Sequence, residues 1–294
     1  MILSVFVQQE GTICDFASSE PWVILTPIEQ SIKRKIEAMG TPLKDWDIQI
    51  YRGVLTGCNE AFIISTEKRN EILSKCQSED ERKRTAELIR PILRGRDIKR
   101  YGYDWANLWL INTHNGIKGR IPRINIEDYP AVKAHLDQYW DKIRDRADQG
   151  DTPYNLRNCA YLEDFYQPKI IWKRIGSILR FCYNDNGALG LDSTCFAIGE
   201  NIEFVCCVLN SPMGHYLLKD APKTGTGDLL ISVQAVEPIK LPLISKDEND
   251  IFTNTLKELV SECSTNNNDE INCKIFDLYN LSHDERRYIE ENFN

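Results

Sequence analysis

The chain has 294 residues, 42% of them hydrophobic and 27% charged, with a formal net charge of -8, enough to bury a sizeable core as one large domain or two unequal ones. No apolar run approaches the roughly 20 residues that span a bilayer, and the opening Met1-Ile-Leu-Ser-Val-Phe-Val lacks the basic start and cleavage site of a signal peptide, so a cytoplasmic protein with no membrane partner is expected. The ten cysteines include no CxxC pair and the four histidines are far apart, which predicts reduced, mostly buried thiols and no metal site.

In chain order, residues 1–9 read as a short strand. Residues 27–39 read as an amphipathic helix, with Thr26 as cap, Pro27 in the first turn, Ile28, Ile32, Ile36 and Met39 on one face and Gly40 as terminator. Residues 47–53 and 60–65 are strand candidates joined by a glycine-containing turn over 53–59, which could be an ordinary hairpin turn or one that offers N–H groups to a phosphate. Residues 78–88 are helical, and Pro91 is expected to end or kink that helix and lead into a basic turn at 94–101. A strand over 107–112, a basic glycine-rich loop over 114–122 and one long helix over 126–146 follow.

The second half changes character. Residues 168–174, 179–183, 192–198 and 229–233 have the β-branched and aromatic content of strands, 202–209 reads as a buried helix, and 238–243 is an extended, proline-punctuated segment. A helix over 250–263, a polar linker over 264–270 and a last helix pair capped at Ser282 complete the chain. The fold class is α+β: a curved, mostly antiparallel set of strands with peripheral helices and a helical acidic tail.

The negative total charge hides a strong local bias. Residues 90–123 carry eight basic residues against Asp97 and Asp104, residues 169–180 carry four against none, and residues 246–294 carry twelve acids against five bases. A polymer of phosphates responds to such local faces rather than to the total. Arg52, Arg94, Arg96, Lys99, Arg100, Lys118, Arg120, Arg123, Lys169, Lys173, Arg174 and Arg180 are therefore candidates for holding phosphates, each with a surface ion pair as the alternative. Thr56, Gly57 and Asn59 form a turn suited to close backbone approach, as does Gly95; Tyr101 and Trp172 could stack beside bases or belong to the core.

The segments 53–64 (Gly-Val-Leu-Thr-Gly-Cys-Asn-Glu-Ala-Phe-Ile-Ile), 90–101 (Arg-Pro-Ile-Leu-Arg-Gly-Arg-Asp-Ile-Lys-Arg-Tyr), 156–161 (Leu-Arg-Asn-Cys-Ala-Tyr), 168–172 (Pro-Lys-Ile-Ile-Trp), 192–196 (Asp-Ser-Thr-Cys-Phe) and 209–211 (Leu-Asn-Ser) together resemble, in order and over roughly residues 46–243, the TaqI-type C-terminal specificity domain. That family forms the target-recognition part of type II and IIG restriction-modification methyltransferases. The resemblance implies a connector over 1–45, a DNA target-recognition domain over 46–245 and an acidic helical tail over 246–294. It implies double-stranded DNA as partner, together with an adenine-N6 methyltransferase domain, in cis or as a subunit, with or without a nuclease. S-adenosylmethionine is then the cofactor of that separate domain, and none is expected in this chain.

The family's catalytic (Asn/Asp)-Pro-Pro-(Tyr/Phe) motif is not found; the nearest match, Asp151-Thr-Pro-Tyr154, has Thr at its second position. Thr224-Gly-Thr-Gly-Asp228 reads as a mobile loop rather than a cofactor turn. Two rivals remain open: a non-catalytic protein-interaction module of a phage-defence or restriction complex, and a thiol hydrolase using Cys58 or Cys195 with His114 or His215.

Overall fold

A computed structural model of the chain describes residues 25–262 and 268–293. The strand expected at residues 1–9 and part of the 264–270 linker lie outside these residues. The first helix, α1 (Pro27–Met39), starts where the sequence requires: Glu29 N–H donates to Thr26 Oγ1 (3.4 Å) while Thr26 N–H donates to Glu29 Oε2 (2.9 Å), closing a capping box ahead of Pro27. It buries Ile32 completely and leaves Met39 at the exposed end.

There follow β1 (Gly40–Pro42), β2 (Ile48–Arg52), α2 (Asn59–Phe62), β3 (Ile63–Ser65), α3 (Thr66–Ser74), α4 (Glu79–Leu88), β4 (Ile89–Leu93), β5 (Leu108–Ile111), α5 (Pro130–Leu136) and α6 (Trp140–Ile143). The second half contributes β6 (Lys169–Lys173), β7 (Ile175–Gly176), β8 (Phe181–Asn184), β9 (Leu189–Gly190), β10 (Thr194–Gly199), α7 (Ile202–Leu209), α8 (Pro212–Leu217), β11 (Leu229–Leu230), α9 (Val233–Val236) and β12 (Lys240–Pro242). The acidic segment forms α10 (Lys246–Glu262), α11 (Asn268–Leu278) and α12 (His283–Phe293).

The architecture is α+β, and its centre is a four-stranded sheet in the order β2-β10-β6-β8 with every neighbour antiparallel. A second four-stranded sheet, β3-β5-β4-β9, is antiparallel except where β4 meets β9. Two short pairs, β1-β12 and β7-β11, close the rim. The central sheet has both faces covered, and its residues alternate accordingly. Ile170, Trp172, Phe181, Cys195 and Ala197 pack against α7, α8 and the acidic helices, whereas Ile171, Cys182 and Phe196 pack against the second sheet and α5.

Several expectations need correction. The 53–59 turn does not join a hairpin, because Asn59 to Phe62 wind into α2 and β3 enters the other sheet, burying Ala61 and Phe62. Pro91 does not end α4 in a turn; it lies within β4, opposite Trp109. Counting back from the Asn112 N–H to Leu88 O bond (3.2 Å), the strand's alternation turns the position of its missing donor away from β5. The long helix over 126–146 is broken, since Pro130 cannot donate to a preceding turn and drives Tyr129 out of the helical region (φ -132°, ψ 64°), so that α5 starts afresh. The strand at 229–233 shortens to two residues before Ser232 leads into α9. α3 carries no expectation from the sequence because its charged face outweighs its two buried residues, Ile72 and Leu73.

Candidate functional site

One end of the central sheet gathers basic residues from separate segments. Arg52 pairs with Cys195, Cys195 with Trp172, and Trp172 with Phe181, so these four residues form a row across all four strands. Just beyond that row lie Lys173 and Arg174 after Trp172, Arg180 before Phe181, and Asp192 and Ser193 ahead of β10. The turn at 190–194 is the hub that fixes them. Gly53 N–H donates to Thr194 O (3.0 Å), Arg174 N–H to Ser193 O (3.0 Å) and Leu191 N–H to Leu93 O (2.9 Å), while Gly95 N–H donates to Ser193 Oγ (3.1 Å).

The approach at Gly95 is close enough to demand glycine: a Cβ there would stand 2.8 Å from Lys173 Cγ. Arg94 is held by Asp97, through Nε to Oδ2 (3.0 Å) and Nη2 to Oδ1 (2.7 Å), and Asp97 also accepts the Arg94 N–H (2.8 Å). That leaves Arg94 as the brace of the turn and Arg96 as its outward cation. Among the described residues Arg96, Lys173, Arg174 and Arg180 have no carboxylate partner, and Arg52 reaches Asp192 only at 3.8 Å. Nε of both Arg52 and Arg174 is buried without a hydrogen-bond partner.

Three adjoining hollows run across this face. The first is rimmed by residues 115–123, Asp151 and Asn158. The second, about 260 Å³, is lined by Arg52, Asn112, His114, Arg157, Asn158 and Tyr161, among others. The third holds Asn59, Arg94, Gly95, Arg96, Lys173, Asp192 and Ser193. Asn158 lines both the first and the second, and the Arg52–Asp192 contact links the second to the third. The floor is rigid: Asn155 Nδ2 donates to Ile124 O (2.9 Å), Leu156 N–H to Thr113 O (2.9 Å), and Tyr161 stacks on Tyr51 at 4.2 Å while its hydroxyl donates to Arg52 O (3.1 Å). Burial, helped by Asp164, pushes the Tyr51 phenol up to about 12, and burial lowers His114 below the usual histidine range. These groups are therefore neutral at physiological pH.

The expected phosphate-holding residues divide. Arg52, Arg94, Gly95, Arg96, Lys173, Arg174 and Arg180 share the sheet end, with Asn59 beside them in the third hollow. Arg100 lies nearby at the edge of β8, its guanidinium over the Tyr101 ring at 5.3 Å. Lys118, Arg120 and Arg123 belong to the first hollow, where Arg120 pairs with Glu163 and Arg123 with Asp151 (3.1 Å). Lys99 is turned to Asp104 (3.0 Å).

Four residues are out of reach. Lys169 is fully buried and donates to Phe165 O (2.7 Å). Trp172 is buried, with Nε1 donating to Ile231 O (2.9 Å). Tyr101 is 4% exposed and uses its backbone to extend β8. Thr56 is buried too, its hydroxyl donating to Asn59 Oδ1 (2.6 Å) and accepting from Cys58 N–H (3.2 Å), so only Gly57, in the left-handed region at φ 66°, and Asn59 stay exposed in that turn. The continuous apolar run Ile170-Ile171-Trp172, typical of a strand buried on both faces, was the signal against Lys169 and Trp172. Conversely, Arg157 and Asn158 in the central hollow were quoted in the sequence only as part of a pattern; an arginine and an amide side by side on an exposed turn are the signal that could have singled them out.

Among the described residues no thiol–histidine pair is assembled. The Cys195 thiol is buried and pushed up to about 11, partly offset by Arg174 and Arg52. His114 Nδ1 accepts from Gly116 N–H (3.2 Å), His215 Nδ1 lies 3.0 Å from Phe293 O, and no described thiol is bonded to a histidine. Both segments weighed in the sequence as cofactor or catalytic motifs are engaged locally. Thr224 N–H donates to Asp228 O (2.8 Å) and Gly227 N–H to Thr224 O (2.9 Å), a turn closed on itself that opens no helix, and Asp151 is engaged by Arg123 and Asn115.

Comparison with known proteins gives one family match, a curated relative and similar solved structures. The family described as the TaqI-like C-terminal specificity domain matches residues 90–232. The type II methyltransferase M.BstVI of Geobacillus stearothermophilus is 24% identical over 289 residues, covering 94% of this chain and 47% of the relative. Among solved structures, the type IIL restriction-modification enzyme MmeI in complex with DNA superposes with a TM-score of 0.57 at 10% identity, covering 87% of this chain and 36% of MmeI. The type IIG restriction endonuclease BpuSI superposes with a TM-score of 0.53 at 16% identity, covering 90% and 32%. The chain spans about half the length of the methyltransferase and about a third of each enzyme. The basic turn and most of the central sheet thus fall within the matched span, Arg52 to Leu55 of the central hollow lie before it, and residues 90–232 are similar to the TaqI-like C-terminal specificity domain.

Proposed function

We propose that this chain is the sequence-specific double-stranded DNA recognition module of a type II restriction-modification enzyme and acts in the cytoplasm. The carrying observation is the line of three adjoining hollows under basic side chains from five separated segments. Among the described residues, Arg96, Lys173, Arg174 and Arg180 at one end and Lys118 at the other stand without carboxylate partners, the state in which a cation gains most from a phosphate. Arg52, Arg157 and Asn158 in the centre present the donor and acceptor groups that suit base edges. Gly57 and Asn59 border the same face. Methyl transfer to adenine N6, with S-adenosylmethionine bound and the target base turned out of the helix, belongs to a separate methyltransferase domain, with or without a nuclease.

Binding to a pool of random-sequence duplexes between about 50 and 200 mM salt tests the reading. Affinity should fall steeply with salt, and Arg96→Ala or Lys173→Ala should each lower affinity for every sequence and reduce the logarithmic salt slope by about one. Salt-insensitive or absent binding would sink it and favour a protein-docking role.

A further inference from the structure

The connection from β6 to β8 leaves and re-enters the sheet at its cationic end, and it carries an exposed apolar side chain. Ile178 is 64% exposed, and among the described large apolar residues only Leu243 is more so, at 70%. Leu243 lies ahead of the acidic first turn of α10, whereas Ile178 lies between Arg174 and Arg180, with Lys219 and Lys223 across the adjoining groove.

Both feet of the connection are fixed. Ile231 N–H donates to Arg174 O (2.8 Å), Ile175 and Gly176 pair with Leu230 and Leu229, and Phe181 N–H donates to Asn210 Oδ1 (3.0 Å). A projecting aliphatic group on a stiff base, between Arg174 and Arg180, which among the described residues have no carboxylate partner, is suited to a surface that offers apolar planes between phosphates. Stacked base pairs are such a surface, and branched aliphatic side chains are among those that part base steps in bent DNA.

Resting on the DNA-recognition reading above, we propose that Ile178 is a wedge that enters between adjacent base pairs while Arg174 and Arg180 hold the phosphates on either side. Recognition then proceeds on a kinked duplex, and part of the sequence preference comes from the ease with which a step unstacks.

The test uses the full chain and a duplex of about 30 base pairs carrying the sequence that the chain enriches from a random pool, labelled at both ends for energy transfer. Binding should shorten the end-to-end distance. Ile178→Ala should abolish the shortening and weaken binding about tenfold with the salt slope unchanged, and Ile178→Leu should retain both bend and affinity. A duplex that stays straight in the wild-type complex, or one bent equally by Ile178→Ala, overturns the wedge while leaving DNA recognition intact. Failure of the wild type to bind any duplex in a salt-dependent way overturns both. Since Ile178 touches solvent over most of its surface, the thermal transition of Ile178→Ala should match the wild type, which separates lost bending from lost folding.

Discussion

Lys169 illustrates how a residue's chemistry is set by its position rather than its type. A lysine between a proline and an apolar run looks like one more surface cation, and only the strand's place in a sheet covered on both faces, with Ile170, Ile171 and Trp172 also buried, puts it inside. Burial holds its ammonium down to about 8, partly countered by Cys182 and Asp185. The folded state therefore binds fewer protons than the unfolded chain between that value and the ordinary 10.5. Folding stability attributable to Lys169 should rise with pH across this window, since the cost of burying the charged form is relieved once the amine is neutral. Chemical denaturation of the wild type and Lys169→Met from pH 7.5 to 10.5 should show the difference moving in favour of the wild type, by an amount on the order of 1 to 3 kcal/mol. A pH-independent difference would rule out this account. At the site itself, legibility followed the same line: Arg96 and Lys173 were readable as exposed cations, whereas Thr56 and Tyr101 looked available but are buried by contacts that no local pattern announces.

Among the elements, those with complete local signals were read correctly. Thr26 and Pro27 gave α1, Ser78 gave α4, and the run Ile-Glu-Phe-Val-Cys-Cys-Val-Leu gave α7 to the residue. The failures arose where long-range pairing overrode local chemistry, as with Pro91 in β4, or where a proline was discounted, as with Pro130. The last helix shows a further dependence across the chain. Ser282 N–H donates to Glu285 Oε2 (2.6 Å), which also accepts from Lys35 Nζ of α1 (2.6 Å), and Lys35 Nζ donates in addition to Asn280 O (2.8 Å). Burial opposes the charge on Glu285, but these donors outweigh it and hold the carboxyl at about 2, against an ordinary 4.5. Its contribution is therefore complete above 4.5 and is lost as the pH falls toward 2. Glu285→Gln should cost about 1 to 3 kcal/mol at neutral pH and should flatten the acid branch of the stability profile over that range, as followed by urea denaturation.

For the molecule as a whole, the acidic helices are structural. Phe252, Leu256 and Leu259 of α10, Ile271, Ile275 and Phe276 of α11 and Ile289 of α12 are buried in the same core as Trp172 and α7. Composition advertised their charge, but only their apolar faces explain where they sit. Truncation after Ser245 should expose that core, replacing a cooperative thermal transition with aggregation or a broad, dye-binding state; a truncated chain with an undiminished transition would contradict this packing. The central sheet has a related role. Consecutive residues of β6 and β10 serve opposite interiors, Cys195 one and Phe196 the other. A single residue inserted in either strand would invert both interiors in one stroke. Changes of length are tolerable only in the connections, and two of these, residues 114–123 and 174–180, border the proposed contact face. Evolution can thus remould what the molecule grips by editing those loops, leaving the sheet that carries them untouched.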